Sequence, residues 1–513
     1  SRSRTGTRRF QPAASGEFRR GLQGAVEDAL ALAEFGQHGG EQGDVVEPGR
    51  HRRAAWLRRV SAGAFAPLGG SRRRRPDRPP WRSPSPPAPR RRPVGCHEPG
   101  GGESAREVGG VLAVGCVFVE EGAHLGPGAI GVGCPLQVHG PTLSTDRRER
   151  EADARTWSIS DLFGVYVHIP FCAARCDYCD FATWTDRAHL VDDYVDACAE
   201  FLRRRHDVPP ATSVFFGGGT PSLLRPDQLA TILDGVVRAP GAEVTVECNP
   251  DSVDLEKLRG YRAAGVDRVS FGVQSMTPHV LAALGRTHDP ANVARAVADA
   301  RDAGIGEVNL DLIYGTPGES LADWEASVNA TLALGVRHVS AYALTVEAGT
   351  PLAADPNRHP DDDDLADKYE CADELLQSAG LLNYEVSNWA VPGEECQHNI
   401  LYWRQGDYAG VGCAAHGHEQ GRRYWNIRTP DRWIAAVQSG ESTVAGEEQL
   451  DAEGRRIEGL QLALRMREGI PAEHLDTEPL DDLVVVEEQM VKLTRRGRLL
   501  ANEIGRASCR ERV

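Results

Sequence analysis

The 513-residue sequence predicts an α/β fold: a partial (β/α)6 barrel over residues 160–355, joined to a smaller C-terminal α+β domain over residues 356–504. Three observations lead there. Short β-rich runs recur between residues 164 and 344. Segments with helical spacing separate them, and strands alternating with helices wind into a parallel sheet with right-handed crossovers. Finally, cysteines, a triple glycine and carboxylates follow the ends of successive runs, where a (β/α) barrel gathers its functional groups.

The runs are 164–168, 214–216, 244–247, 268–271, 308–313 and 339–344, and the clearest helical stretches are 187–205, 226–238 and 289–303. Cys172 to Cys179 follow the first run. Gly217, Gly218, Gly219 and Thr220 follow the second, and Glu247, Cys248, Asn249 and Pro250 the third. Gln274, Asp311 and Ala343 continue the series. Past residue 355 the pattern changes. Asp361 to Asp364 open a helix reaching Ala379, an acidic start that suits the helix dipole and reads as solvated. A run at 384–389 comes next, then a loop holding His398, Asn399, Ile400, Leu401, Tyr402 and Trp403, then a Gly-rich turn around 410–417. From Asp431 the chain reads mainly as helices.

The two ends differ from this core. Residues 1–155 are rich in Arg, Gly and Pro, include the run Arg72 to Arg75, and lack sustained periodicity. Such low-complexity composition does not readily bury a core. It reads either as a disordered basic arm for an acidic partner or, preferably, as translated sequence upstream of a misplaced start. Residues 505–513 are polar, contain Cys509 and read as a foreign tail.

Composition excludes several classes. A net charge of −16 gives no general reason to expect nucleic acid as partner. No run of apolar residues reaches the roughly 18 needed to span a bilayer, and Ser1 to Phe10 lacks a secretory apolar core. A cytoplasmic protein is therefore expected. Twelve cysteines in 513 residues make no disulfide scaffold, and three within eight residues point to metal or redox chemistry.

Those three are Cys172, Cys176 and Cys179, spaced C-x3-C-x2-C after the first strand. Three thiolates can hold three irons of a [4Fe–4S] cube and leave the fourth without a protein ligand. An open iron suits the amino and carboxylate groups of S-adenosylmethionine, whose C–S bond could then be cleaved reductively to a 5′-deoxyadenosyl radical. A zinc site, with His168 as nearest fourth ligand, is the weaker alternative. The backbone of Gly217–Gly219 can approach a ligand closely. Glu247 could accept from ribose hydroxyls, while Arg286 and Asp311 read equally well as ion-pair partners.

Taken together, these residues resemble the radical S-adenosylmethionine superfamily, and more narrowly the oxygen-independent coproporphyrinogen III oxidase family. The resemblance rests on Tyr166 to Cys172, Phe216 to Pro221, Glu247 to Pro250, Phe271 to Ser275 and Asp311 to Pro317, and covers most of residues 163–503. It implies a radical-SAM barrel in which Tyr166, Tyr178, Gly219, Thr220, Glu247, Gln274, Arg286, Asp311 and Ala343 contact S-adenosylmethionine. Two departures choose a branch. The oxidases carry a further cysteine two residues after the third, where this chain has Phe181. The segment from His398 to Trp403 matches the HNxxYW signature of the haem-chaperone (HemW) branch.

That branch implies haem as cargo, handed to haem-accepting proteins, with respiratory and membrane-associated ones the natural class, and an electron donor for the cluster. His398 is the expected axial ligand, with Tyr402 and Trp403 covering the porphyrin face. Cys396 is the thiolate alternative, and a packed, hydrogen-bonded histidine is the bland one. Coproporphyrinogen oxidation and radical chemistry on an unknown substrate are the rival functions.

Overall fold

The computed structural model describes residues 112–114, 117–119, 162–206, 208–286 and 288–509. The segment 1–155 lies outside them except for Leu112–Val114 and Val117–Val119, which pair antiparallel.

All the runs expected in the barrel are strands. They are β1 (Phe163–Ile169), β2 (Ala211–Gly218), β3 (Arg238–Cys248), β4 (Arg268–Gln274), β5 (Glu307–Tyr314) and β6 (His338–Ala343). Each pairs with the next in parallel. The crossovers carry α1 (Val191–Arg204), α2 (Pro226–Leu233), α3 (Leu255–Ala264), α4 (Pro278–Ala283), α5 (Ala291–Asp302) and α6 (Leu321–Ala333). Local signals set their ends. Asp254 accepts from the Lys257 N–H at the start of α3, and Gly265 closes it at φ 114°. Ser320 and Asp323 cap the start of α6 reciprocally.

Strand residues alternate in role. Val165, Val167, Val214, Phe216, Val246, Phe271, Leu310 and Val339 join one apolar core with Tyr194, Leu229, Leu258, Val293 and Trp324 of the helices. The residues between them are different: Thr245, Glu247, Arg268, Ser270, Asn309, Asp311, His338 and Ser340 line a cavity. Period-two alternation thus puts apolar side chains under the helices and polar ones in the lumen.

The second half of the chain extends this same sheet. It contributes α7 (Asp362–Ser378), β7 (Leu382–Glu385), β8 (Asn388–Ala390), α8 (Gln397–Trp403), β9 (Asp407–Val411), β10 (His416–Glu419), β11 (Arg422–Asn426), α9 (Pro430–Ser439) and β12 (Val444–Gln449). Among the described residues the order is β12-β11-β10-β9-β1-β2-β3-β4-β5-β6-β8-β7. β9 runs parallel to β1, and β8 antiparallel to β6. Residue 356 is therefore no break in the sheet, because 382–449 supply its outer strands on both sides. A second core follows, with Leu464, Ile470, Val484, Val491 and Ile504, built on α10 (Ala452–Ala463), β13 (Ile470–Pro471), β14 (Val484–Glu487), β15 (Met490–Leu493), α11 (Arg495–Leu499) and α12 (Ala501–Cys509).

One local expectation needs correction. The loop expected around His398 is helix α8. The Gly-rich turn is found at residues 412–415 between β9 and β10, with Gly412 at φ 101°; within β9, a Cβ on Gly410 would lie 2.1 Å from the His416 carbonyl, so that glycine serves close strand approach. The region after Asp431 is mainly helical, as expected, with the short strands β12 to β15 interspersed, and α12 carries on into the polar tail as far as Cys509. The acidic start of α7 is exposed at Asp361 and Asp362, as expected, and Asp364 accepts from the fully buried Lys368 Nζ at 2.6 Å. Among the described residues no helix is long and apolar enough to cross a membrane.

The segment 394–403 crosses the N-terminal ends of the barrel strands and floors the lumen. Glu243 Oε1 accepts from the Gln397 N–H at 3.0 Å and the His398 N–H at 3.3 Å. Arg268, 2% exposed, pairs with Glu243 at 3.0 Å and with Glu307, and donates to the Glu394 carbonyl at 2.8 Å. Replacing Arg268 with Ala removes the cation that Glu243 and Glu307 share, and urea unfolding of R268A is expected to show a loss of about 3–5 kcal/mol.

Candidate functional site

The three motif cysteines lie on the loop after β1, and the loops after β2 and β4 hold two of them. Thr220 donates to Cys172 Sγ at 3.6 Å, and Arg286 to Cys176 Sγ at 3.7 Å. The Cys172 N–H donates to the Trp184 carbonyl at 3.1 Å, and the Asp177 N–H to the Leu284 carbonyl at 3.3 Å. Burial raises the Cys172 thiol pKa and pushes that of Cys179 up to about 12, with the neighbouring thiols adding to both effects. Such thiols ionise together only with positive charge among them, which is what cluster irons supply.

No three His, Cys, Asp or Glu side chains among the described residues gather tightly enough for a single metal ion. Thiols spaced around an iron–sulfur cube need not meet at one point, whereas tetrahedral zinc ligands must. His168 is no spare ligand either. Its Nδ1 faces the Tyr166 hydroxyl at 3.2 Å, its Nε2 faces the Ala182 carbonyl at 3.0 Å, and burial lowers its pKa to about 4.

The glycine run explains itself beside the thiols. A Cβ on Gly219 would lie 2.8 Å from the Ile169 and Phe171 carbonyls and 3.0 Å from Cys172 Sγ. Gly218, at φ 108°, would drive a Cβ to 2.4 Å from the His168 ring. Only glycine fits this crossing of β2 over the cysteine loop. The Gly218 N–H then points at Glu247 Oε2, 3.1 Å away.

Glu247 and Asp311 face the lumen beneath this crossing, where they line a small cavity. Burial, reinforced by Asp311, pushes the Glu247 pKa up to about 8. Burial also raises that of Asp311, against hydrogen bonds from Ser270, Ser340 and Asn309 and the charge of Arg286. Two carboxylates left short of positive charge fit a cationic sulfonium ligand bearing hydroxyls. Arg286 donates to the Gly272 carbonyl at 2.6 Å, and Gln274 adopts a left-handed φ of 63° at the end of β4. Tyr166 lines β1 nearby, stacked at 6.4 Å on Phe215. Tyr178 packs with Ile313, Leu344 and Leu352, and Ala343 ends β6.

The residues expected to hold haem sit elsewhere, in the floor. His398 is fully buried: its Nδ1 meets Ser213 Oγ at 2.8 Å and its Nε2 meets the Tyr402 hydroxyl at 2.9 Å. Its ring stacks on Phe215 at 5.4 Å, and burial lowers its pKa to about 3. Trp403 is buried under Arg465, and Cys396 is buried against Glu243. As packed, α8 offers a porphyrin no free imidazole nitrogen, and of its two aromatic rings Trp403 is buried and Tyr402 only partly exposed, so His398 does not fit as a haem ligand in this arrangement. The packed histidine weighed from the sequence is the geometry found. Gly164 answers the same packing, since a Cβ there would lie 3.0 Å from His398 Cε1.

Sequence reasoning missed the polar lining below Glu247 and Asp311, namely Thr245, Ser270, Asn309, His338 and Ser340. Their signal was present: polar residues at alternate positions of parallel strands, which ordinarily read as apolar throughout.

Comparison with known proteins follows the same lines. A model of the radical SAM superfamily matches residues 166–330. The haem chaperone HemW of Mycobacterium tuberculosis (strain H37Rv) is 45% identical over 369 residues, covering 67% of this chain and 94% of that protein. HemW of Escherichia coli K12 is 42% identical over 263 residues, 49% of this chain and 69% of that protein. The solved coproporphyrinogen III oxidase HemN of Escherichia coli, a radical SAM enzyme, shares the fold. Its TM-score is 0.61 at 21% identity, over 72% of this chain and 94% of that one.

Two outcomes are expected of the site. Changing Cys172, Cys176 and Cys179 together to Ala should abolish absorbance near ~400 nm in anaerobically reconstituted protein. S-adenosylmethionine should bind more tightly as pH rises towards 8, because a cation favours ionised Glu247 while below pH 8 the free site holds it protonated. Equilibrium dialysis across pH 6–9 should show a slope of up to about tenfold per unit that levels off above pH 8 and flattens in Glu247→Gln.

Proposed function

We infer the role of a haem chaperone from one premise: the chain belongs to the HemW family of radical S-adenosylmethionine proteins. The observation that carries it is identity of 45% along 94% of a relative named for that role, in a chain with Phe181 where the oxidases have a cysteine. The superfamily implies S-adenosylmethionine and a [4Fe–4S] cluster as cofactors. When bound, the cluster supplies electrons for reductive chemistry at the sulfonium. We assign the cluster to Cys172, Cys176 and Cys179. S-adenosylmethionine is assigned to the mouth formed by Tyr166, Tyr178, Gly219, Thr220, Glu247, Gln274, Arg286, Asp311 and Ala343. Residues 160–355 then form the cofactor-bearing barrel, and residues 356–504 complete and floor it.

Haem is the cargo in this reading, passed to acceptor proteins, among which respiratory, membrane-associated ones are the natural class. An electron donor serves the cluster. Ligation of haem iron by His398 would require α8 to leave the lumen, because both imidazole nitrogens are engaged there.

An anaerobic haem titration of the reconstituted full chain, followed by absorbance, tests this role. Saturable stoichiometric binding is the expected result, and its absence overturns the reading. His398→Ala belongs alongside. The packing leads us to expect a stability loss of about 2–4 kcal/mol with haem affinity retained in the folded fraction. A tenfold or larger loss of affinity at unchanged melting temperature would instead make His398 the ligand. Protoporphyrinogen formed anaerobically from coproporphyrinogen would favour the oxidase.

A further inference from the structure

The cysteine loop is held by a segment that the cofactor assignments leave without a role. Between β6 and α7, residues 344–358 return to the loops after β1 and β4. The Leu344 N–H donates to the Tyr314 carbonyl at 2.8 Å, and the Leu352 N–H to the Asp177 carbonyl at 3.0 Å. Leu344 and Leu352 are buried with Leu284 and Ile313, and Tyr178 of the cysteine loop packs against this cluster. The strap also supports itself. Thr350 Oγ1 donates to the Glu347 carbonyl at 2.7 Å and accepts from the Ala353 N–H at 3.1 Å. Asp355 caps the turn Pro356–Arg358 by accepting from the Asn357 N–H at 3.2 Å.

Arg358, at the end of this turn, reaches the middle of the cysteine motif. Its Nη2 donates both to Asp177 Oδ2, at 2.8 Å, and to the Ala283 carbonyl, at 2.7 Å. Asp177 stands between Cys176 and Cys179, and its own N–H donates to the Leu284 carbonyl at 3.3 Å. Gly285, at φ 71°, lets the Asp177 side chain approach, since a Cβ there would lie 3.1 Å from Oδ1. Arg286 follows, donating to Cys176 Sγ at 3.7 Å. One guanidinium thus ties the strap to both partners of the contact that orients Cys176. The Arg358 and Asp177 side chains are 26% and 36% exposed, so the pair adds little to global stability. Its consequence is local, because Asp177 without Arg358 is an unbalanced negative charge beside the motif thiols.

We propose that Arg358 is a positioning residue for the cluster: by balancing Asp177 and holding the turn between Cys176 and Cys179, it makes this loop easier to reduce. This rests on the assignment of the cluster to the three cysteines. Reduction adds negative charge, and the potential of such a cluster follows the net charge and hydrogen bonding around its sulfurs. An unpaired carboxylate on the same loop opposes that added charge, and a guanidinium paired with it cancels the opposition.

The test is a redox titration of the anaerobically reconstituted full chain, followed by absorbance. In Arg358→Gln the equilibrium should move about tenfold towards the oxidised cluster, ~59 mV for a one-electron couple. Asp177→Asn should move it about tenfold the other way, because Arg358 is then the unbalanced charge. The double variant should return to within about threefold of wild type, as should Arg358→Lys, which keeps the cation. Unchanged potentials in both single variants overturn the proposal. So does a double variant displaced as far as Arg358→Gln, the result expected of lost loop shape alone. If Arg358→Gln holds no cluster, Asp177→Asn decides, since its amide oxygen still accepts from Arg358, and absence of its shift overturns the proposal. A wild-type chain that takes up no iron and sulfide overturns the cluster assignment beneath it.

Discussion

A parallel sheet that points polar side chains into its own lumen must satisfy them there, because buried polar groups without partners cost about 1–3 kcal/mol each. Most of this architecture follows from that constraint. Strand alternation gives the helices Val, Leu and Phe on one face and leaves Ser, Thr, Asn, Asp, Glu, Arg and His on the other. At the N-terminal end of the strands, water is excluded by α8, which has to meet the lumen's charges itself. It does so with backbone N–H groups on Glu243, while Arg268 binds the carbonyl of Glu394 just ahead of it. His398 completes the floor by bridging Ser213 and Tyr402. The second half of the chain is therefore part of the barrel's chemistry, and its strands are the barrel sheet's own outer members.

The repeating half of the fold was legible because its signals are local. β-rich runs, capped helices such as α3 and α6, and the placing of Cys172, Gly217 and Glu247 after successive strands all lie within a few residues of what they specify. The second half was less so, for reasons visible at single residues. Gly410 and Gly417 read as a turn, yet they are glycine because the His416 carbonyl and the Tyr424 ring lie against them in neighbouring strands. His398 read as a loop ligand, yet its surroundings (Gly164, Ser213 and Phe215) come from β1 and β2, far away in sequence. No local pattern carries that information. The lumen lies between these cases: polar residues at 309 and 311, and at 338 and 340, were a period-two signal that an emphasis on strand ends passed over.

The same packing separates the two motifs on which a functional reading turns. The cysteines stand at the C-terminal ends of the strands, and the HNxxYW segment closes the opposite ends. Residues matched to a family signature thus occupy two sites with different demands. One is a polar mouth whose thiols and carboxylates are held short of positive charge. The other is a floor in which the imidazole is neutral, since its pKa lies near 3 and both nitrogens are paired. A histidine so held contributes rigidity, and any role as an iron ligand belongs to a second arrangement of α8.

Charge explains why the mouth is arranged as it is. Cys172 and Cys179 hold their protons because burial and mutual repulsion oppose thiolates, and Glu247 holds its proton because it is buried, with Asp311 adding to the effect. Arg286 is the cation that stands among them, touching Cys176 and acting on Asp311. One guanidinium does not balance three thiols and two carboxyls. Folding the free chain therefore holds Cys172, Cys179 and Glu247 in their neutral forms, and binding of positively charged partners releases protons. In the assignment proposed above, iron answers the thiols and a sulfonium answers the carboxylates. In that assignment the two sites adjoin, with the Gly218 and Gly219 backbone as the thin wall between thiols and carboxylates.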